Sequence, residues 1–191
     1  MIPRLRGRLS RPADRIMLDD DDNNWTAVFR SAEEQLRDSG RVDLADYVSL
    51  RAANDAVREK AVAWLFNAVS AVAGEANRRD LAIAIERSES HSFEFRGANI
   101  VGSLTRLRQG VRAMTVEAGW PRVPSDGFIR GNALAVARVR HFGMREHDAD
   151  LLLSRFEGVP IWFADAGGGR REEFHLGELL RHFAVFVGLQ S

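Results

Sequence analysis

The sequence predicts an α+β fold: N-terminal helices, then a curved antiparallel β-meander of about six or seven strands covered by a C-terminal helix. Three observations predict it. Apolar residues recur every three or four positions up to about Asn77, and after Arg79 the period drops to two. The links between the alternating runs are short and turn-like, and the closing stretch "EEFHLGELLRHFAVFVG" returns to a helical pattern.

Taken in order, Asn24 is placed to cap a helix that begins at Trp25. Trp25, Val28, Phe29, Ala32 and Leu36 share one face of it, and Gly40 ends it. Asp43 opens a second helical region reaching about Asn77. Leu50, Val57, Ala61, Trp64, Leu65, Ala68 and Val72 form its apolar stripe, opposed by Arg51, Asp55, Arg58 and Glu59. Ser49 is a possible internal cap, which would make two helices of it. The run "AVAWLFNAVSAVA" is apolar nearly all round and predicts burial on more than one side.

Seven segments alternate like strands: Leu81 to Arg87, Ser92 to Arg96, Val101 to Arg108, Val111 to Glu117, Ala133 to Phe142, Asp150 to Phe156 and Ile161 to Asp165. Gln109-Gly110, Gly143 and Gly158 before Pro160 supply turns. The last helix, over 172–188, directs Phe174, Leu179, Leu180, Phe183 and Phe186 at a core. Residues 1–22 read as a charge-segregated arm, five arginines by Arg15 followed by Asp19 to Asp22, with too little apolar surface to order alone. The remainder, 23–191, reads as one domain: helical over 24–78, mainly β over 81–165, helical again over 172–188.

Composition bounds the function classes. Hydrophobic residues make up 45% and charged residues 28%, as in ordinary globular proteins. With 27 basic and 27 acidic residues the chain has no overall field drawing it to nucleic acid or an anionic membrane, so nucleic-acid binding would need a local basic patch. Lys60 is the one lysine. Arginine elsewhere suits paired recognition of carboxylate or phosphate, and it equally reflects the codon bias of a GC-rich bacterial genome. The absence of cysteine removes disulfides, thiolate catalysis and cysteine zinc sites, and agrees with a cytoplasmic setting. The N-terminus has no apolar core of a secretory signal, and no apolar run approaches the length of a membrane span.

The stretch "TVEAGWPRVPSDGFIRGN", 115–132, is the most informative for function. If Gln109-Gly110 is a two-residue turn, Arg108 pairs with Val111, Arg106 with Ala113, Leu104 with Thr115 and Gly102 with Glu117. Arg106, Arg108, Thr115 and Glu117 then share one face, with Thr105, Leu107, Met114 and Val116 on the other. Such a polar face is either solvated, with ion pairs each worth under about 1 kcal/mol, or the inside of a groove. There Glu117 would serve as general base, ion-pair partner or metal ligand. The loop that follows is longer than a hairpin needs and is stiffened by Pro121 and Pro124. Trp120 offers it a flat apolar surface, Arg122 and Arg130 offer anion-binding forks, and Asp126-Gly127 supplies a turn. Equally, the loop folds back and Trp120 plugs the end of the sheet.

Among the histidines, His141 lies on the same strand face as Ala135, Ala137 and Val139. It would approach Glu117 if their strands are neighbours, with Asp126 or Arg130 nearby. His175 and His182 lie two helical turns, about 10 Å, apart, too far to share a metal, and Glu178 with His182 fills two positions at most. "HDAD", 147–150, reads as a turn and strand start, and "GGGR", 167–170, lacks the lysine and helix of a phosphate loop. "SFEFRG" mixes aromatics and arginine in a way that could stack bases, against which stands the neutral net charge. No dinucleotide fingerprint, metalloprotease helix or nucleophile elbow is present, and no cofactor is indicated.

Three functions follow as expectations, the third of them a nucleic-acid adaptor through the arginine face, whose affinity would fall steeply with salt. The first is a non-enzymatic binding or interaction subunit of a bacterial multi-protein system. It would hold a protein partner, a second copy or a small anionic ligand through Arg106, Arg108, Glu117, Trp120, Arg122 and Arg130. The second is a small hydrolase or nuclease using Glu117, Asp126 and His141, with or without a divalent metal; it requires those three side chains to converge.

Overall fold

The computed structural model describes Glu34, residues 42–165 and residues 170–189. The chain divides into two compact units, Met1–Ser49 and Leu50–Ser191. The expected arm, its boundary at 22–23 and the Asn24 cap lie outside the described residues. Of the first unit, Glu34 and residues 42–49 are described, and all are helical.

Helix α1, Val42–Asn77, runs unbroken for 36 residues, so Ser49 is not an internal cap. No proline or glycine interrupts it until Gly74, and alanine and long unbranched side chains favour its continuation. Ala61, Val62, Leu65, Phe66, Val69, Ala73 and Ala76 form its buried stripe at spacings of three and four, with Val57, Trp64, Ala68 and Val72 along the flank. Leu50, expected in that stripe, is exposed.

The β region is one seven-stranded antiparallel sheet in sequence order: β1 Ala84–Phe95, β2 Ala98–Gln109, β3 Arg112–Trp120, β4 Ala135–His141, β5 Ala149–Phe156, β6 Val159–Asp165 and β7 Arg171–Glu173. This is the predicted α+β meander, with the strands apportioned differently. The first two predicted strands are one, because a register shift between Ser88 and His91 interrupts the alternation without ending the strand. Residues 171–173 form β7, so Glu172 and Glu173, expected in the last helix, lie in a strand instead. Helix α2, Leu176–Val187, starts later, where the His175 ring accepts from the Gly177 amide and Glu178 accepts from the His175 amide.

The β2–β3 register differs from the prediction. Arg108 pairs with Ala113, Arg106 with Thr115, Leu104 with Glu117 and Gly102 with Gly119. Gly110, at φ +56°, is the first central residue of the turn and Val111 the second, the preferred glycine position in one of the two-residue hairpin turns. Each partner is displaced by two residues. Since side chains alternate with period two, the displacement changes neighbours but not faces, so the predicted grouping of Arg106, Arg108, Thr115 and Glu117 on one face holds.

The two faces are unlike. One carries Leu107, Met114, Val116, Ala118, Trp120, Ala135, Ala137, Val139, Leu151, Leu153 and Trp162, and both helices pack on it. From α2 come Leu179, Phe183 and Phe186, while Leu180, predicted to join them, is exposed. The Trp162 indole donates to the Ala61 carbonyl and ties β6 to α1.

On the opposite face the tip of the β1–β2 hairpin folds over. Phe93, Phe95, Ala98 and Ile100 cover Val136 and Leu152 in a second, smaller core. Gly102 and Gly119 permit this bend, for a Cβ on Gly102 would stand 1.9 Å from the Ala118 carbonyl oxygen and one on Gly119 2.4 Å from that of Val101. Two bare backbones press together here, and no side chain fits between them. Among the described residues no helix is long and apolar enough to cross a membrane.

Candidate functional site

The loop after β3 is ordered from both ends. Trp120 is 4% exposed and belongs to the main core. Its ring is packed inside that core and offers no contact surface. Arg122 lies over it, with Cζ 3.7 Å from the ring centroid. Pro124–Asp126 make a short 3-10 turn. The Asp126 carboxylate accepts from the Arg122 and Val123 amides at 3.0 and 3.2 Å and from Asn99 Nδ2 at 3.1 Å. These bonds, that of Asn99 first, hold its carboxyl below the ordinary range. Gly127, at φ +86°, lies against Ala98, so the loop rests on the β1–β2 tip. Ile129 then turns inward against both cores, whereas Phe128 is 83% exposed. Exposed Val123, Phe128, Arg122 and Arg130 are thus carried on an anchored backbone.

The sheet face beneath the folded hairpin carries a connected set of charges. Glu117 is central, with only 15% of its side chain exposed. Its Oε2 is 2.7 Å from His91 Nε2, and its Oε1 is 3.6 Å from Arg138 Nη1. Arg138 reaches on to Asp150 and lies over the rings of Phe93 and Phe95, 5.6 and 5.1 Å from their centroids. Asp150 also holds Arg140, which spans to Asp148, and Arg96 at the hairpin tip bonds Asp165 at 2.7 Å.

An open groove of about 690 Å³ lies at the outer end of this set, lined by Arg96, Arg140, Arg145, Asp148, Asp150 and Asp165. Its three arginines and three aspartates cancel, so it presents no net field to an anion. On this sheet face the His91–Glu117 pair joins an imidazole to a carboxylate. The carboxylate fixes the orientation of the imidazole, and that ring stacks on Phe93 at 5.7 Å.

Glu117, Asp126 and His141 do not converge. Glu117 stands opposite Arg138 and His141 opposite Met114, so the two project from opposite faces of the sheet. Their strands are neighbours, the condition set for an approach, but the β3–β4 register puts even-numbered β4 residues beside odd-numbered β3 residues. Asp126 is occupied in holding its loop. Among the described residues no group of three or more histidine or acidic side chains could hold a metal ion.

Arg106 and Arg108 stand half-exposed near Glu86, at 3.6 and 3.7 Å, as a solvated face would. The imidazole that meets Glu117 is His91. Sequence reading missed it because the one extra residue of the β1 bulge must be counted before His91 falls opposite Gly102. The signal was present as alternation, since His91, Phe93 and Phe95 keep one period across "HSFEF".

Comparison of the chain with protein-family models, with curated proteins and with solved structures gave no match. The class of protein is therefore defined by its own fold and surface: a helix-covered antiparallel meander whose loop after β3 is anchored and carries the exposed Val123 and Phe128.

Proposed function

We propose that this chain is a non-enzymatic interaction subunit of a bacterial, cytoplasmic multi-protein system. It grips a protein partner through the 121–132 loop. One observation carries the reading: Phe128 stands in solvent on a backbone fixed by Asp126, Gly127 and Ile129. An aromatic side chain presented by a preordered loop gives up little conformational freedom on binding, which is how a few anchors come to dominate interface energy. Arg122 and Arg130 flank it in sequence, so the matching partner presents an apolar pocket bordered by carboxylates.

The test is a photo-crosslinking residue at position 128, used in cells of the natural source. The reading expects one dominant protein adduct, lost when Arg122 and Arg130 are both replaced by Glu while the melting temperature is kept. An adduct pattern no different from that of the same probe at exposed Glu157 would end it.

A second reading, a hydrolase, is favoured by the 2.7 Å His91–Glu117 pair alone. It keeps Glu117 from the expected set and replaces His141 by His91 as the proton carrier. Ester and phosphodiester hydrolysis abolished by both His91→Ala and Glu117→Gln would support it; activity surviving either change would remove it.

A further inference from the structure

Two histidines join the sheet to its covering helix. His141, the last residue of β4, is 3% exposed, and its Nε2 lies 3.0 Å from Nδ1 of His182 on α2. The rings stack with centroids 5.3 Å apart, and Phe174 closes one side of His182 at 5.8 Å. A third imidazole, His147, meets His141 edge-on at 6.2 Å. His141 Nδ1 is buried and has no hydrogen-bond partner among the described residues.

The charged groups around the pair are few. Asp148 is engaged by the His141 backbone amide at 2.8 Å and by Arg140, Arg181 precedes His182 on α2, and Glu178 one turn earlier is held by His175 and Arg181. On β3, Met114 is the neighbour paired with His141, and it is apolar.

We propose that the His141–His182 pair is an acid-released latch that holds α2 on the sheet at neutral pH and frees it on mild acidification. The bond between the rings uses one N–H and one bare nitrogen, which two neutral imidazoles supply between them. A first added proton creates a buried cation with His147 and Arg181 as neighbours and only the already engaged Asp148 to oppose them. A second sets N–H against N–H, and the bond is gone. Burial makes both rings reluctant to take a proton; at His141 the Asp148 carboxylate partly opposes it, while at His182 the neighbouring imidazoles add to it and push the ring down to about 4. Releasing α2 uncovers Leu179, Phe183 and Phe186 together with the sheet residues beneath them, a large apolar face offered only in acid.

The experiment is amide hydrogen exchange on the full chain at pH 7 and pH 4.5, corrected for intrinsic exchange rates and read separately for α2 and for β3–β5. The latch expects α2 protection to fall about tenfold or more while the strands keep theirs, since each unit of pKa displacement is a factor of ten. It expects the His141→Leu/His182→Leu double variant to keep α2 protected at both pH values. Loss of protection in helix and strands together, or the same α2 loss in the double variant, overturns it. Should the double variant fail to fold, imidazole NMR titration of the wild type decides. Ring titration coinciding with α2 release supports the latch, and rings titrating near pH 6.5 with α2 still protected refute it.

Discussion

Alanine in place of Gly102 and alanine in place of Gly74 should change stability in opposite directions, for reasons legible in the backbone. At Gly102 the added methyl carbon would lie 1.9 Å from the Ala118 carbonyl oxygen and 2.7 Å from the Gly119 Cα. Both obstacles are main chain, so no rotamer change can clear them. β2 and β3 must part by roughly 1 Å at their closest approach, which strains the ladder on either side. Overpacking that moves backbone costs about 3 kcal/mol, the top of the ordinary range. For a chain of this size that lowers the midpoint by about 6–12 °C.

At Gly74 the methyl meets nothing nearer than Arg78 Nη1 at 3.9 Å, inside an uninterrupted helix. There alanine should add about 0.5–1 kcal/mol by removing glycine's conformational freedom in the unfolded chain. Differential scanning calorimetry of the two variants beside the wild type measures both. A Gly102→Ala protein melting within 2 °C of wild type would refute the account of the bend. Because the bend carries Ala98 and Asn99 to the binding loop, Gly102→Ala should also quicken proteolytic cleavage between residues 121 and 134.

Other expectations follow from single contacts. Trp120→Ala should cost about 3–5 kcal/mol of stability, as a core residue does, measurable by urea unfolding; a folded, stable variant would return Trp120 to the surface. Thr105 is fully buried and its hydroxyl has no partner among the described residues, so Thr105→Val should stabilise the protein by about 1 kcal/mol in the same assay. For His182 the folded pKa, about 4, lies below the unfolded 6.5. The unfolded chain therefore takes up the proton first. The contribution is complete above about pH 6.5 and is lost as the pH falls towards 4, to a total of about 3 kcal/mol. Melting temperatures of wild type and His182→Gln should thus converge on acidification, and a constant gap between them would contradict the assignment.

Much of this molecule was decided locally and could be read directly. Helical periodicity over "DAVREKAVAWLFNAVSAVA", alternation after Arg79 and the glycine turns depend on neighbours three or fewer turns away, so they specify α1, the strands and their antiparallel order. The same alternation put Arg106, Arg108 and Glu117 on one face even though the turn was placed one residue early, because a two-residue slip of partners preserves parity. What the sequence could not decide by itself was which side chains meet across the sheet. Glu117 meets His91 and not His141 because of a bulge in β1 and the odd register between β3 and β4. Trp120, at the end of β3, is core and Phe128, in the loop that follows, is solvent, since only the fold says which of them has an apolar surface to cover. Leu50 and Leu180 end exposed for the same reason: an apolar side chain is buried by what stands opposite, and that is supplied by residues tens of positions away.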